Sequence, residues 1–194
     1  IICVAGANDA MTPAGAISAL EHLENYQIVI GQLEIPQEVT IAAFKKAKDF
    51  GAITILNPAP FALISPDLIS VSDWIIPNES EFVGMHPQGL GPTSDENILE
   101  IAATLKTRFV VTLGEKGAAF TTRDGEIRRV AAPQVKAIDT TGAGDAFVGA
   151  FAVGLAAHLS DEKAIALGCA CASESVTRKG TQSSYPTPAQ AQEI

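Results

Sequence analysis

The chain has 194 residues, and 47% of them are hydrophobic, which supplies enough apolar material for the core of one folded domain and excludes a disordered chain. Its formal net charge of −9 argues against non-specific binding to nucleic acid or to an anionic membrane, so a small-molecule partner is favoured. No segment has the pattern of a signal peptide or of a membrane-spanning helix, and the cytoplasm is therefore the expected location.

Strand-like and helical patterns alternate along the chain. The predicted strands are 1–5, 26–34, 52–60, a short one within 74–82, a strand–turn–strand over 109–122, and a strand with a loop over 125–135. The predicted helices are 12–23, 36–51, one that begins at Asn78 or Ser80, 94–106, one from near Asp145 to about His158, and 160–180. Thr12 is the predicted N-cap of the first helix, and Gly51 ends the second. The segment 86–97 is predicted to be a loop, and 181–194 is a polar tail.

This alternation predicts an α/β fold with a mostly parallel sheet and helices on both faces, organised as one domain over 1–194. Ligands bind such sheets at the carboxyl ends of the strands. The loops predicted at that edge are 6–8, Glu34, 57–60, 78–81, 113–117 and 140–145. A strand pattern at the first residue, without a starting Met, suggests a chain cut from a longer one.

The stretch TTGAGD, residues 140–145, has the composition of an anion-binding loop. Gly142, Ala143 and Gly144 bring backbone N–H groups together without large side chains, and the following helix adds its positive end. Asp145 beside this loop could accept a proton from a hydroxyl that attacks a phosphoryl group. The alternative is that Asp145 is a helix N-cap after a glycine turn.

Three other candidate sites each allow two interpretations. Asn78 and Glu81 are one helical turn apart, and could hold Mg²⁺ near phosphates or form a capping box. The glycines of TLGEKG, residues 112–117, could let the backbone approach a nucleotide or could make a plain hairpin. Glu34 follows an apolar strand, where it either binds a polar ligand or is a charge at the water boundary.

The three cysteines, Cys3, Cys169 and Cys171, lack the spacing of a disulfide framework. Cys169 and Cys171 lie two residues apart in an Ala-rich helical stretch, and we expect both to be small core residues. The three histidines have no metal-ligand spacing.

The order of these motifs resembles that of the ribokinase-like (pfkB) family of sugar kinases. DTTGAGDAFVGAF, residues 139–151, is similar to the family's specific C-terminal signature. The stretches GANDAMTP, QLEIP, LNPAP, PNESE, VTLGEKG and VTRKGTQSSYP also follow in the family's order. The resemblance implies phosphorylation of D-ribose by ATP on its 5-hydroxyl, which gives D-ribose 5-phosphate. The alternatives are another kinase of this fold acting on fructose or a nucleoside, or a nucleotide-binding fragment without activity of its own.

The resemblance also implies a role for each motif residue. Asp145 would be the general base, Glu34 would contact the sugar, and Gly142, Ala143 and Gly144 would form the anion hole. The residues implied for ATP and Mg²⁺ are Asn78, Glu81, Thr112, Leu113, Gly114, Glu115, Lys116, Gly117, Gly144 and Cys169, the last of which departs from the Asn or His of many relatives. The ligands implied for a monovalent cation, usually K⁺, are Asp139, Thr141, Ser175, Arg178, Gly180 and Ser184.

The family's N-terminal portion has no counterpart in this sequence. That portion carries a sugar-binding Asp, a Gly-Gly-Lys-type motif and a small β lid, so the expected fold is ribokinase-like without its N-terminal part and lid. Because the lid is the usual dimer surface of the family, a homodimer is expected for a full-length enzyme and not by that route for this chain. The implied partners are a small sugar and ATP.

Overall fold

The structure is a computed structural model that describes residues 5–85 and 93–191. The predicted strand 1–5, apart from its last residue, lies outside the described residues, as do Cys3 and most of the predicted loop after residue 85. The helices are α1 (Pro13–Glu21), α2 (Gln37–Asp49), α3 (Pro66–Ser70), α4 (Glu79–Met85), α5 (Asp95–Leu105), α6 (Ala143–Ala156), α7 (Asp161–Ser175) and α8 (Pro188–Ala191). The strands are β1 (Ile28–Gly31), β2 (Ile53–Leu56), β3 (Trp74–Ile75), β4 (Arg108–Thr112), β5 (Ala118–Thr121) and β6 (Ile127–Val130).

The six strands are hydrogen-bonded in chain order, and β1, β2, β3 and β4 pair in parallel. The register places Ile28 beside Ile53, Ile55 beside Trp74, and Trp74 beside Arg108. Parallel neighbours require a crossover connection, and helices α2 to α5 supply those connections here. The prediction of an α/β fold with a mostly parallel sheet is therefore confirmed.

The chain divides into two compact units. The first unit is Ile1–Val110 with Thr121–Glu126, and the second unit is Val111–Phe120 with Ile127–Ile194. The core of the first unit is built from fully buried aromatic and aliphatic side chains of helices and strands. The largest of them are Phe44, Ile55, Leu56, Leu68, Ile75, Phe82, Ile98 and Phe109. Phe82 and Phe109 meet edge to face, with ring centroids 6.3 Å apart.

The core of the second unit is the packing of α6 against α7. A Cβ atom on Gly154 would lie 2.8 Å from the Cα of Ala164, and a Cβ atom on Gly168 would lie 2.9 Å from the Phe147 ring. These two glycines therefore let the helices approach more closely than any larger residue would. Cys169 and Cys171 are buried in α7, which confirms that they are small core residues.

Most predicted helix starts are confirmed. The Thr12 side-chain oxygen accepts the backbone N–H of Gly15 at 3.2 Å, so Thr12 caps α1 as predicted. Helix α2 ends at Asp49, and Gly51 takes a left-handed φ of 75° two residues later. Helix α3 was not predicted, although Ser65 caps it and Pro66 begins it.

The start of α6 agrees with the prediction, whereas the end of α7 differs from it. Helix α6 begins at Ala143, near Asp145 as predicted, and Gly142, with a φ of 80°, serves as the N-cap. Helix α7 ends at Ser175 and does not continue to Gly180. The hydroxyls of Ser175 and Thr177 donate to the carbonyls of Ala172 and Glu174, which satisfies acceptors that the next helical turn would otherwise use.

Candidate functional site

The start of α6 is a glycine turn that leads directly into helix. Gly142 is the N-cap and makes no side-chain cap hydrogen bond, so the first-turn amides have no capping side chain. The amide of Ala143 donates to the Thr140 carbonyl at 3.2 Å, whereas Gly144 is exposed. The positive end of a helix dipole and first-turn amides together favour an anion at this point.

Asp145 is the third residue of α6 and is exposed. The alternative that Asp145 is the N-cap is therefore wrong, because the cap position belongs to Gly142. The Asp145 carboxylate lies in the first turn of α6, where a negative charge interacts favourably with the helix dipole.

Tyr185 packs against the same turn, and the sequence interpretation missed it. A Cβ atom on Gly142 would lie 2.8 Å from the Tyr185 hydroxyl oxygen, so the ring rests directly on the glycine. Burial, together with the negative charge of Asp145, raises the pKa of the Tyr185 hydroxyl. The available signal was the position of Tyr185 within the stretch VTRKGTQSSYP, but nothing local in the sequence connects it to Gly142.

Asp139 joins the loop before α6 to the turns after α7. Its Oδ1 accepts the Thr141 backbone N–H and its Oδ2 accepts the Gly180 backbone N–H, each at 3.0 Å. The backbone N–H groups of Ile138 and Asp139 both donate to the Val176 carbonyl, at 2.7 and 3.2 Å. Hydrogen bonds from the Gly180 and Thr141 amides lower the pKa of Asp139 to about 2. The carboxylate therefore acts as a clamp between two loops of the second unit.

The other residues predicted for a monovalent cation belong to the same hydrogen-bonded segment. Arg178 donates to the Glu174 carboxylate at 2.6 Å and to the Ser184 carbonyl at 2.8 Å. The buried Ser184 hydroxyl donates to the Thr181 carbonyl at 2.7 Å. Arg178 can offer a cation only its carbonyl oxygen, since its side chain is itself a cation.

The residues predicted for a monovalent cation would offer it one carboxylate, Asp139, with backbone carbonyl and hydroxyl oxygens from Thr141, Ser175, Gly180 and Ser184, and this site stays a prediction. Within residues 5–85 and 93–191, no group of three or more His, Cys, Asp or Glu side chains could hold a metal ion. A site with a single carboxylate is weakly charged, which suits K⁺ more than a divalent ion.

The depressed pKa of Asp139 makes a prediction about acid stability. The group contributes fully above its ordinary pKa of 3.8, and the contribution is lost as the pH falls towards the folded-state value of about 2. Asp139→Asn is therefore expected to lower the urea midpoint at pH 7, with a smaller difference from wild type at pH 3. Asp124→Asn, an exposed acid in the β5–β6 turn, is the control. An Asp139→Asn difference that stays constant between pH 7 and pH 3 would contradict the clamp.

Asn78 and Glu81 form a capping box at the start of α4. The Asn78 side-chain oxygen accepts the Glu81 backbone N–H at 2.9 Å, and the Glu81 carboxylate accepts the Asn78 backbone N–H at 2.8 Å. Glu81 is buried, and this burial raises the pKa of its carboxyl, against the smaller opposite effect of the Asn78 N–H. A cation beside Glu81 would favour the charged carboxylate and oppose this rise in its pKa, and a cation site at this pair stays a prediction.

Loss of the Asn78 cap is expected to lower the stability of the protein measurably. Asn78→Ala is expected to lower the free energy of unfolding by about 1 kcal/mol, the usual value for losing a helix N-cap. Ser94→Ala is the matched variant, because Ser94 caps α5 through the Asn97 backbone N–H. Urea unfolding of both proteins checks the value, and an Asn78→Ala protein as stable as wild type would show that the box contributes nothing.

The stretch 112–117 is a tight hairpin turn. Gly114–Lys116 form one short 3₁₀ turn between β4 and β5, and the Leu113 backbone N–H donates to the Gly117 carbonyl at 2.7 Å. Glu115 and Lys116 are exposed at the tip, whereas Gly117 is buried. The hairpin interpretation describes the backbone, and a nucleotide role for Thr112 to Gly117 remains a prediction.

Glu34 and Cys169 occupy very different surroundings. Glu34 is exposed and follows the carboxyl end of β1, where the sequence placed it. Cys169 is buried in α7, and this burial raises the pKa of its thiol to about 11. The thiol stays neutral near pH 7 and offers a ligand only weak polar contacts.

Asn57 holds the carboxyl ends of three strands together, a role that the sequence interpretation did not assign. Its side-chain amide donates to the Ile76 carbonyl at 2.8 Å, and its side-chain oxygen accepts from Gln32 at 3.4 Å. Its backbone N–H donates to Gly31, the last residue of β1, at 2.9 Å. Asn57 therefore shapes the edge of the sheet at which Glu34 and Asn78 follow their strands.

The predicted site residues fall into two groups by unit. Glu34, Asn78 and Glu81 belong to the first unit. The Asp139–Asp145 loop, its partners Val176 and Gly180, and the turn residues 112–117 belong to the second. In the part of the chain that the structure describes, no helix is long and apolar enough to cross a membrane.

Known proteins resemble this chain in both sequence and structure. Residues 1–188 match the pfkB family of carbohydrate kinases. A ribokinase from Staphylococcus aureus (strain COL) is 37% identical over 189 residues, which cover 93% of this chain and 60% of that protein. A deoxyribokinase from Salmonella typhimurium is 38% identical over 193 residues, which cover 96% of this chain and 62% of that protein.

A solved structure extends the likeness to the fold. The structure of Arabidopsis thaliana ribokinase complexed with ribose and ATP superimposes with a TM-score of 0.83 at 30% identity, covering 91% of this chain and 58% of that one. The chain thus spans about 60% of the length of the curated relatives that it matches. Because the family match covers nearly every residue, the chain belongs to the pfkB family of carbohydrate kinases.

Proposed function

We propose that the protein takes part in the phosphorylation of D-ribose by ATP, with the 5-hydroxyl as acceptor and D-ribose 5-phosphate as product. The observation that carries the proposal is Asp145 in the first turn of α6, directly after the left-handed Gly142. The proton acceptor, Asp145, is then three residues from Gly142, the N-cap of the helix start that would bind the anion. That combination serves transfer of a phosphoryl group to a hydroxyl.

In this proposal, Asp145 takes the proton from the sugar hydroxyl as the hydroxyl attacks the γ-phosphate. The amides of Gly142, Ala143 and Gly144 stabilise the negative charge that develops on the transferred group. Asp139 holds this loop in shape through the Thr141 and Gly180 amides. Tyr185 covers the glycine turn from one side. Positioning and electrostatics contribute more of the rate than the proton transfer does.

The proposal also assigns roles towards the nucleotide and its cations. Thr112, Leu113, Gly114, Glu115, Lys116, Gly117 and Cys169 would line its binding site. Asn78 and Glu81 would serve its phosphates and Mg²⁺, and the Asp139 segment would hold K⁺. When bound, these cations supply positive charge that offsets the phosphate charge and supports the loop. Asn78→Ala is expected to raise the KM for ATP, whereas Ser94→Ala is not, although both remove a helix cap.

A comparison of phosphoryl acceptors tests the substrate. Ribose, 2-deoxyribose, fructose and adenosine are assayed with the natural full-length protein, by ADP formation, for kcat/KM. Ribose is expected to exceed the others by about tenfold or more, since a site built around a hydroxyl rejects analogues that lack it. Preference for fructose or adenosine would overturn the ribose assignment.

Deoxyribose is the second candidate. A deoxyribokinase is as similar to this chain as the S. aureus ribokinase is, at 38% and 37% identity. A kcat/KM for 2-deoxyribose that is equal to or higher than that for ribose would identify deoxyribose as the substrate. ATP binding without phosphorylation of any acceptor would instead favour a nucleotide-binding protein without catalysis.

A further inference from the structure

The first unit contains a large cavity at the opposite edge of its sheet from the candidate site. The cavity has a volume of about 1000 Å³. Its wall includes Ile53, Trp74 and Arg108, the first residues of β2, β3 and β4. Glu34 and Asn78, in contrast, follow the carboxyl ends of strands in the same unit. The cavity is therefore separate from the predicted site residues of that unit.

The wall of the cavity is positively charged in an acidic protein. Lys48, Lys106, Arg108 and Arg123 line it, which is 4 of the 13 Lys and Arg residues of a chain with a net charge of −9. Among the described residues of the wall, Asp73 is the one acid, and it pairs with Lys48. Asp49 and Asp124 are next to lining residues in sequence but do not line the cavity.

Both oxygens of the Asp73 carboxylate are engaged by neighbouring groups. One oxygen pairs with Lys48, and the other accepts the Thr54 backbone N–H at 2.9 Å and the Thr54 hydroxyl at 3.0 Å. Lys48 and Asp73 thus neutralise each other, and Lys106 and Arg123 leave an excess of positive charge. Such a concave wall attracts anions.

Helix ends explain only part of this charge. Lys48 lies in the last turn of α2 and Lys106 is the C-cap of α5, so both also complement helix carboxyl ends. Arg108 begins a strand, and Arg123 lies in the turn between β5 and β6. Neither arginine serves a helix end, and the exposed Arg123 can present several N–H donors to a phosphate.

Two hydroxyl groups of the wall are engaged within the protein. The hydroxyl of Ser72 donates to the Leu68 carbonyl at 2.7 Å, and that of Thr107 donates to the Ser72 carbonyl at 2.8 Å. The hydroxyl protons of these two residues are therefore already used. Ile53 and Leu99, both partly exposed, add apolar surface, which suits the carbon part of a ligand.

We propose that this cavity binds a small organic phosphate, held by Lys106 and Arg123 through its phosphate group. The inference does not rest on the proposed kinase activity. The cavity volume is that of sites for small molecules, which span about 300–1000 Å³.

Trp74 provides the assay, because it is the one tryptophan of the chain and the Arg108 guanidinium lies 3.7 Å from the centre of its ring. Glycerol 3-phosphate is titrated at constant ionic strength, and both Trp fluorescence and heat of binding are recorded. We expect saturable binding that is at least tenfold weaker in the double variant Lys106→Gln and Arg123→Gln. The control double variant, Lys45→Gln and Lys136→Gln, removes the same charge from exposed side chains outside the cavity and is expected to bind as wild type does.

Each other outcome overturns the proposal or part of it. If neither method shows saturable binding, or if both double variants weaken binding equally, the cavity is not a phosphate site. Binding of citrate as tight as that of glycerol 3-phosphate would replace the assignment to phosphate by one to polyanions in general. Thermal unfolding of the three proteins shows that each variant is folded during the titration.

Discussion

Asp145→Asn is expected to lower kcat by about two to four orders of magnitude, the usual contribution of a general base, while ATP still binds. Asn has nearly the same shape as Asp and keeps an acceptor at the start of α6, but it cannot take the proton of a sugar hydroxyl. The effect should therefore appear in kcat and leave the dissociation constant for ATP within a few-fold of wild type. Steady-state kinetics and calorimetric ATP binding on the natural full-length protein measure the two quantities.

Asp161→Asn is the matched control for this variant. Asp161 is an acid in the first turn of α7, as Asp145 is in the first turn of α6. Loss of a favourable charge–dipole interaction is common to both variants, whereas loss of a proton acceptor is not. Near-normal turnover of Asp145→Asn, or an equal loss of kcat in both variants, would contradict the role of Asp145 as general base.

Gly117→Ala is expected to destabilise the second unit by about 4 kcal/mol, from backbone strain of about 1–3 and overpacking of about 1–3. Gly117 has a φ of 92° and a ψ of −127°, which L-residues rarely adopt. An added Cβ would lie 1.9 Å from the Val130 carbonyl oxygen and 2.7 Å from the Ala132 nitrogen. Both obstacles are backbone atoms, so no side chain can move to make room.

Gly114→Ala in the same turn is the matched control. Gly114 also has a positive φ, 58°, but a Cβ there would meet nothing within 4 Å. Its expected cost is about 1 kcal/mol, from the left-handed backbone alone. Urea unfolding, with linear extrapolation, measures both variants. Equal stability of the two would show that the contact with Val130 is unimportant.

Local sequence signals predicted most of the elements in the described residues. The Thr12 cap, the glycine after α2 and the apolar runs of β1 and β2 depend on neighbours within a few residues, so their patterns are visible in the sequence. The strand segments were predicted too long, since strand ends depend on which residues find pairing partners. Helix α3 was missed although its Ser65–Pro66 start has the expected form.

Only part of the candidate site could be predicted from the sequence. The residues of 139–145 were identified by composition and by their resemblance to a family, and the capping box of Asn78 and Glu81 was one of two stated alternatives. The clamp between Asp139 and Gly180 joins residues 41 positions apart, and the contact of Tyr185 with Gly142 is equally non-local. No local pattern encodes such contacts, because they depend on how α6 and α7 pack.

The central claim is tested most directly by identifying the molecule that receives the γ-phosphate of ATP. The natural full-length protein is incubated with ATP labelled at the γ-phosphate and with ribose, in the presence of Mg²⁺ and K⁺, and the products are identified by ³¹P NMR. The account predicts that the label appears as an ester on the 5-hydroxyl of ribose, and that Asp145→Asn suppresses this product. Label found only as inorganic phosphate, or ATP left unconsumed by wild-type protein that binds it, would contradict it.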